Sequence, residues 1–266
     1  MQTERDTWDI QKLEINAVTQ HRIGPLSIWL ERSGDELHYA FSRKESDLSS
    51  PKAPKPEHIE WSRWVCGKGD LDLRLAPLLP PRPVVVRPVM PLQILPGHNI
   101  HFFVSIPVYV AGILAGPDGQ NPVTAFEEPT VILSNSWYGK PADGTLCYAL
   151  RTRARRSQEE LRTDPNLAIC PLELVNQSNK PLLFERVLLR SAFLGIYRGA
   201  EHIWTSAARL VYRGEEVLPE LTYLEGPPAY DNASVCLAPP KDLVKRGMLD
   251  RARDSIRDSI EKVRHG

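Results

Sequence analysis

Apolar residues recur at every second position along most of this chain, and that rhythm is what most restricts its fold. A helix buries side chains three and four apart, whereas a strand sends every second residue to one face. Leu26, Ile28 and Leu30 alternate, Gly34-Asp35 breaks the run, and Leu37, Tyr39 and Phe41 alternate again, which predicts a hairpin. Ile59, Trp61, Arg63 and Val65 fall on one side of a further strand that Gly67 and Gly69 end, and Leu71, Leu73 and Leu75 alternate with Asp70, Asp72 and Arg74.

Proline sharpens the reading. Its 24 copies are spread between apolar runs rather than gathered in one tract, and each one denies a helix an N–H donor. Pro77, Pro80, Pro81, Pro83, Pro88, Pro91 and Pro96 punctuate Val84-Val85-Val86 and Val89 to Leu95, which predicts extended chain near a sheet edge. Residues 44–58, with Pro51, Pro54 and Pro56 and no periodic apolar face, read as an exposed loop. Further strands are expected over residues 101–110, 130–133 and 145–156, with a turn or two of helix over 157–164.

The second half repeats the pattern. Leu167 to Val175 and Leu182 to Leu189 flank a turn made of Asn176-Gln177-Ser178-Asn179-Lys180-Pro181, a presentation common in immunoglobulin-like sandwiches. Residues 193–197, 203–212 and 217–224 continue the series. The expectation is an all-β chain of two antiparallel β-sandwich-like halves, the second immunoglobulin-like, over residues 1–156 and 157–238. Beyond Pro239-Pro240 the period changes: Leu249, Ala252, Ile256, Ile260 and Val263 form one helical stripe, so residues 239–266 are expected to be a C-terminal amphipathic helix.

Composition removes several function classes. A chain of 266 residues is long enough to bury a sizeable core without staples. Lys plus Arg and Asp plus Glu each total 33, so no global field draws the chain to nucleic acid, and no nucleic-acid partner is expected. Cys66, Cys147, Cys170 and Cys236 have no close spacing and read as small apolar side chains in a reducing compartment. Met1-Gln2-Thr3-Glu4-Arg5-Asp6 lacks the apolar run of a signal peptide, and the apolar stretch from Ile106 to Leu114 is too short to cross a membrane as a helix. A cytoplasmic protein is expected.

Few residues suggest chemistry. His98 and His101 would diverge on a strand, and Glu127 and Glu128 would point apart at a strand start, so a paired acid and base would need a third carboxylate. Dinucleotide, P-loop, zinc-protease and hydrolase-elbow motifs are absent. No cofactor or metal is expected. Trp204, between Ile203 and Thr205, reads as strand packing.

Two features point instead to recognition. Ser134, Asn135, Trp137 and Tyr138 place a hydroxyl, an amide and two aromatics in one short stretch, where flat faces stack and amides orient a ligand. Arg151, Arg153 and Arg155, with Arg156, form the strongest local charge cluster; on one strand the first three share a face at steps of about 6.6 Å. Glu159, Glu160 and Asp164 follow closely and offer local ion pairs instead.

The blocks Ser134 to Gly139, Gly144 to Leu150, Ile169 to Ser178 and Ile203-Trp204-Thr205 together resemble a prokaryotic family classed as a domain of unknown function, common in methanogens, across residues 20–225. In some genomes the genes of that family neighbour mechanosensitive channel genes, so the resemblance implies a membrane-protein partner, and a mechanosensitive channel as one form of it. It supplies no catalytic residues, and the tail helix lies outside the shared region. The leading expectation is therefore a non-enzymatic binding or regulatory protein that contacts a protein partner, with an association with the membrane. Two alternatives stand beside it: a hydrolase of a sugar or phosphorylated metabolite, using Glu127 or Glu128 with arginines holding the anion, and a structural subunit that self-associates through the C-terminal helix.

Overall fold

The computed structural model describes residues 7–43, 59–67, 69, 71–116, 121–242 and 250–251. Strands dominate it, as the alternation requires. The first are β1 (Ile10–Lys12), β2 (Val18–Ile23), β3 (Leu26–Ser33), β4 (Glu36–Ser42), β5 (Ser62–Val65) and β6 (Asp72–Leu78). Next come β7 (Val84–Pro88), β8 (Leu92–Ile94), β9 (Asn99–Pro107), β10 (Tyr109–Ala115), β11 (Val123–Pro129), β12 (Asn135–Tyr138) and β13 (Thr145–Thr152). The rest begin with β14 (Leu167–Asn176), β15 (Leu182–Phe184), β16 (Val187–Leu189), β17 (Ile196–Arg198) and β18 (Ile203–Thr205). They end with β19 (Ala208–Tyr212), β20 (Glu220–Tyr223), β21 (Val235–Ala238) and β22 (Asp250–Arg251). Among the described residues the one helical element is a single 3-10 turn at Ser191–Phe193, and residues 157–164 form turns rather than helix.

Two compact units interleave along the sequence. The first takes Met1–Leu78, Pro107–Ile132 and Asp164–Asn166. It holds two four-stranded sheets, β1-β6-β10-β11 and β2-β3-β4-β5, all paired antiparallel. The predicted hairpin is β3–β4: Ile28 lies opposite Phe41 and Leu30 opposite Tyr39, so one face is apolar. Phe126 of β11 meets that face, with ring centroids 5.1 Å from Phe41 and 5.3 Å from Tyr39. Gly112 of β10 makes room for it, since any Cβ there would fall within the Phe126 ring.

The second unit takes Leu79–Ile106, Leu133–Thr163 and Leu167–Gly266. An eight-stranded sheet runs β21-β17-β18-β14-β19-β20-β22, with β9 also paired to β14; β12-β13-β7-β16 and β15-β8 are the smaller sheets. Here the antiparallel expectation needs correction. β14 is parallel to β18 and to β19, and β7 is parallel to β13. The physical reason is burial: β14 is apolar on both faces, which suits a covered central strand and lets long crossovers supply parallel neighbours. β7 is likewise interior, between β13 and β16, rather than at an edge. Pro83 precedes it and Pro88 ends it, so prolines remove no donor from its middle.

Two side chains tie the second unit together. Asn176, fully buried, donates Nδ2 to the carbonyls of Ile94 (2.9 Å) and Lys180 (2.8 Å), while its Oδ1 accepts from the Ser178 amide (3.0 Å). Asp231, at φ 53°, accepts from the Glu201 and His202 amides and from Trp204 Nε1 at 3.0 Å. Trp204 is buried with Phe103, Ile169 and Tyr197, and it stacks on Tyr230 at 5.4 Å. Of the expected C-terminal helix, residues 243–249 and 252–266 lie outside the described residues; Asp250–Arg251 pairs with β20 as strand.

Candidate recognition surface

The site begins with a matter of parity. Among the described residues β12 pairs only with β13 and forms an edge of its sheet; Trp137 lies opposite Leu146, and Asn135 opposite Tyr148. Just beyond, the Ala149 amide donates to the Ser134 carbonyl at 2.9 Å, whereas the Tyr148 amide turns away to the Pro83 carbonyl. Antiparallel pairs alternate between hydrogen-bonded and unbonded, so Asn135–Tyr148 and Trp137–Leu146 are the unbonded, closer pairs, with Cα atoms about 4.5 Å apart. Two consequences follow. Their four side chains crowd on one face, and the backbone N–H and C=O groups of Asn135 and Trp137 point out of the open edge.

That face is a partly exposed apolar shelf. Trp137 is 46% exposed and Leu146 43%, while Val84, Val86, Val187 and Leu189 continue the same face into the core. The Arg82 guanidinium donates to Asn135 Oδ1 at 2.8 Å and lies 5.6 Å from the Tyr148 ring centroid. Its backbone is anchored by Ser191, whose hydroxyl donates to the Pro80 and Arg82 carbonyls. Trp137 is held by its turn: Nε1 donates to the Lys140 carbonyl at 3.0 Å, and the indole lies where a Cβ on Gly144 would be.

The opposite face carries the remaining candidates. Tyr138 is buried with Val85 and Cys147, and Arg186 sits 5.2 Å from its ring centroid. Burial pushes the Cys147 thiol up despite hydrogen bonding to Ser136 and the nearby Arg87 and Arg186, so it stays a protonated thiol; Cys170, wholly buried, is pushed up to about 11. The four cysteines are free thiols.

The arginines do not form one face. β13 ends at Thr152, and Ala154 adopts φ 50°, held by its amide donating to Thr152 Oγ1 at 3.0 Å. Arg151 is thus the one on the strand, beside Arg87; Arg153 is exposed past its end, and Arg155 is half-buried, its carbonyl accepting from the Phe103 amide. The structure brings Asn135 and Trp137 together, leaves Ser134 at the entrance to β12, and puts Tyr138 and Arg151 on the other side.

Arg82, Leu146 and Tyr148 complete the shelf. Leu146 and Tyr148 alternate within the strand expected over residues 145–156, but no local signal announces their pairing with β12 or the reach of Arg82 to Asn135. The carboxylates of the hydrolase alternative do not converge: Arg43 takes Glu128 as its ion pair at 2.7 Å, and Glu127 is exposed at the neighbouring, opposite-facing position of β11. His98 Nδ1 lies 2.9 Å from the Pro96 carbonyl and His101 3.5 Å from Glu173. Among the described residues no three metal-ligating side chains cluster, and no helix is long and apolar enough to cross a membrane.

A family described as "Protein of unknown function (DUF432)" matches residues 7–256. The chain belongs to this family. Shelf, edge strand and arginine cluster all fall inside the DUF432 match. No curated protein and no solved structure matches the chain.

Proposed function

We propose that this chain is a non-enzymatic, cytoplasmic binding protein that takes an extended segment of a protein partner along the open edge of β12. One observation carries the reading: the outward backbone groups of Asn135 and Trp137 lie beside the half-exposed Trp137–Leu146 pair. An added strand would satisfy those groups, and its alternate side chains would cover the aromatic shelf. Arg82 and Asn135, already bonded to each other, supply a polar rim. Free thiols support residence in a reducing compartment.

Site-specific photo-cross-linking in cells tests this. A photoreactive residue at position 146, on the shelf, is expected to give a discrete protein adduct. The same residue at position 149, on the opposite face of β13, is not. Equal adducts from both positions, or none from position 146, would reject the edge as the binding site.

A further inference from the structure

The far end of the same sheet carries a different surface. β7 and β13 are parallel and finish together, with Arg87 beside Arg151 and Pro88 beside Thr152. β16 runs against β7, pairing Val187 with Val86, so Arg186 enters at that end too. From there the chain turns through Val89 and Met90, which are 57% and 76% exposed; Met90 is the most exposed large apolar side chain among the described residues. Arg153 is exposed just past β13.

We infer that the Val89–Met90 turn and the arginines around it form a peripheral docking surface for an anionic lipid bilayer. Three features support insertion. Pro88 and Pro91 flank the turn and carry no amide donor, and the Val89 amide is already bonded to the Thr152 carbonyl at 2.8 Å, so three of the four residues from Pro88 to Pro91 present no unpaired amide to the acyl boundary. Arg87 and Arg151 are like charges on neighbouring strands, an unfavourable pair that a lipid phosphate between them relieves. Long arginine stems reach headgroups while aliphatic tips enter the acyl boundary. Arg153, exposed just past β13, adds a third positive charge at this end of the sheet in a chain with no net charge.

The apolar tip also favours lipid over nucleic acid. Val89 and Met90 offer no ring for a base to stack on. This surface is independent of the β12 edge, at the opposite end of β13.

Sedimentation of the full chain with vesicles tests the inference. Phosphatidylcholine vesicles carrying about one-third phosphatidylserine should bind at least about tenfold more protein than phosphatidylcholine alone, with the excess removed by high salt. Met90→Asp, and Arg87→Gln with Arg151→Gln, should each abolish that excess, and Trp137→Ala should keep it. Met90→Ser serves if the aspartate variant does not fold. The inference is overturned by wild-type protein showing no preference for phosphatidylserine, by folded Met90 variants binding as wild type, by loss in Trp137→Ala, or by single-stranded RNA being bound where vesicles are not.

Discussion

Trp137 and Arg151 stand on opposite faces of one four-stranded sheet, because Trp137 pairs with Leu146 and Arg151 lies an odd number of residues further along β13. They are also about 17 Å apart along the strand. No single flat partner covers both. Leu146→Asp is therefore expected to abolish partner adducts from a photoreactive residue at position 135, on the same face, while keeping the stability within about 1 kcal/mol of wild type, since Leu146 is already half in water. Arg151→Gln should leave those adducts intact. Cross-linking and thermal melts on both variants decide it.

Gly144→Ala should disturb the shelf by crowding Trp137 from its own turn. A methyl group there meets the Trp137 indole and, at 2.7 Å, the Lys140 carbonyl, so the indole has to leave its hydrogen bond. Overpacking of this kind costs about 1–3 kcal/mol in a tight site and less where a side chain can swing into solvent. Intrinsic fluorescence should shift to the red as Trp137 becomes more exposed, with adducts at the β12 edge reduced.

Asp231 gives the fold an acid limit. Burial works against its charge, but hydrogen bonds from the Trp204 indole and the Glu201 and His202 amides outweigh that, and the carboxyl is held below its ordinary value. A carboxyl lowered in the folded state stabilises above its unfolded value, 3.8, and loses that contribution as pH falls through the folded one. Asp231→Asn should cost about 1–3 kcal/mol near neutrality and flatten the acid side of the stability profile below pH 4. Chemical denaturation across pH checks it.

His21 acts in a higher window. Burial lowers it from 6.5 to about 4, so the unfolded chain takes up a proton that the folded chain refuses. Stability should fall as pH drops from about 6.5 to 4, by roughly 3 kcal/mol in all, and then level off for this group. His21→Leu, opposite Ile28 on a buried face, is expected to remove that slope in pH-dependent denaturation.

Asn176→Asp should be costly for a separate reason. It replaces an amide that donates to two carbonyls with a carboxylate facing both of them. The expected loss is about 2–4 kcal/mol, read as a lower denaturation midpoint, because a buried charge would meet two acceptors.

Much of the fold was legible because alternation is local. The β3–β4 hairpin needed only Leu26 to Phe41, and the Asn176 turn needed only side chains able to bond their own backbone. Pairing between distant strands is not local. The sequence around Trp137 and around Arg151 shows which residues alternate, but the face each takes depends on β12 meeting β13 in one register. The arginine run read as one strand face because nothing in Arg153-Ala154-Arg155 announces a left-handed alanine; a hydrogen bond to Thr152 and the bridge to Phe103 impose it. Likewise Val84 to Arg87 looked like edge chain because prolines flank it, and only the parallel partner β13 shows it to be interior.

Residue-resolved amide exchange at β12 tests the central claim most directly. In the free chain the Ser136 and Tyr138 amides, which face β13, should be protected, and the Asn135 and Trp137 amides, which face the open edge, should exchange freely. Adding the cross-linked partner's own segment should protect Asn135 and Trp137. If those two amides are already protected in the isolated chain, or stay unprotected when the partner is bound, β12 is not the strand that receives it.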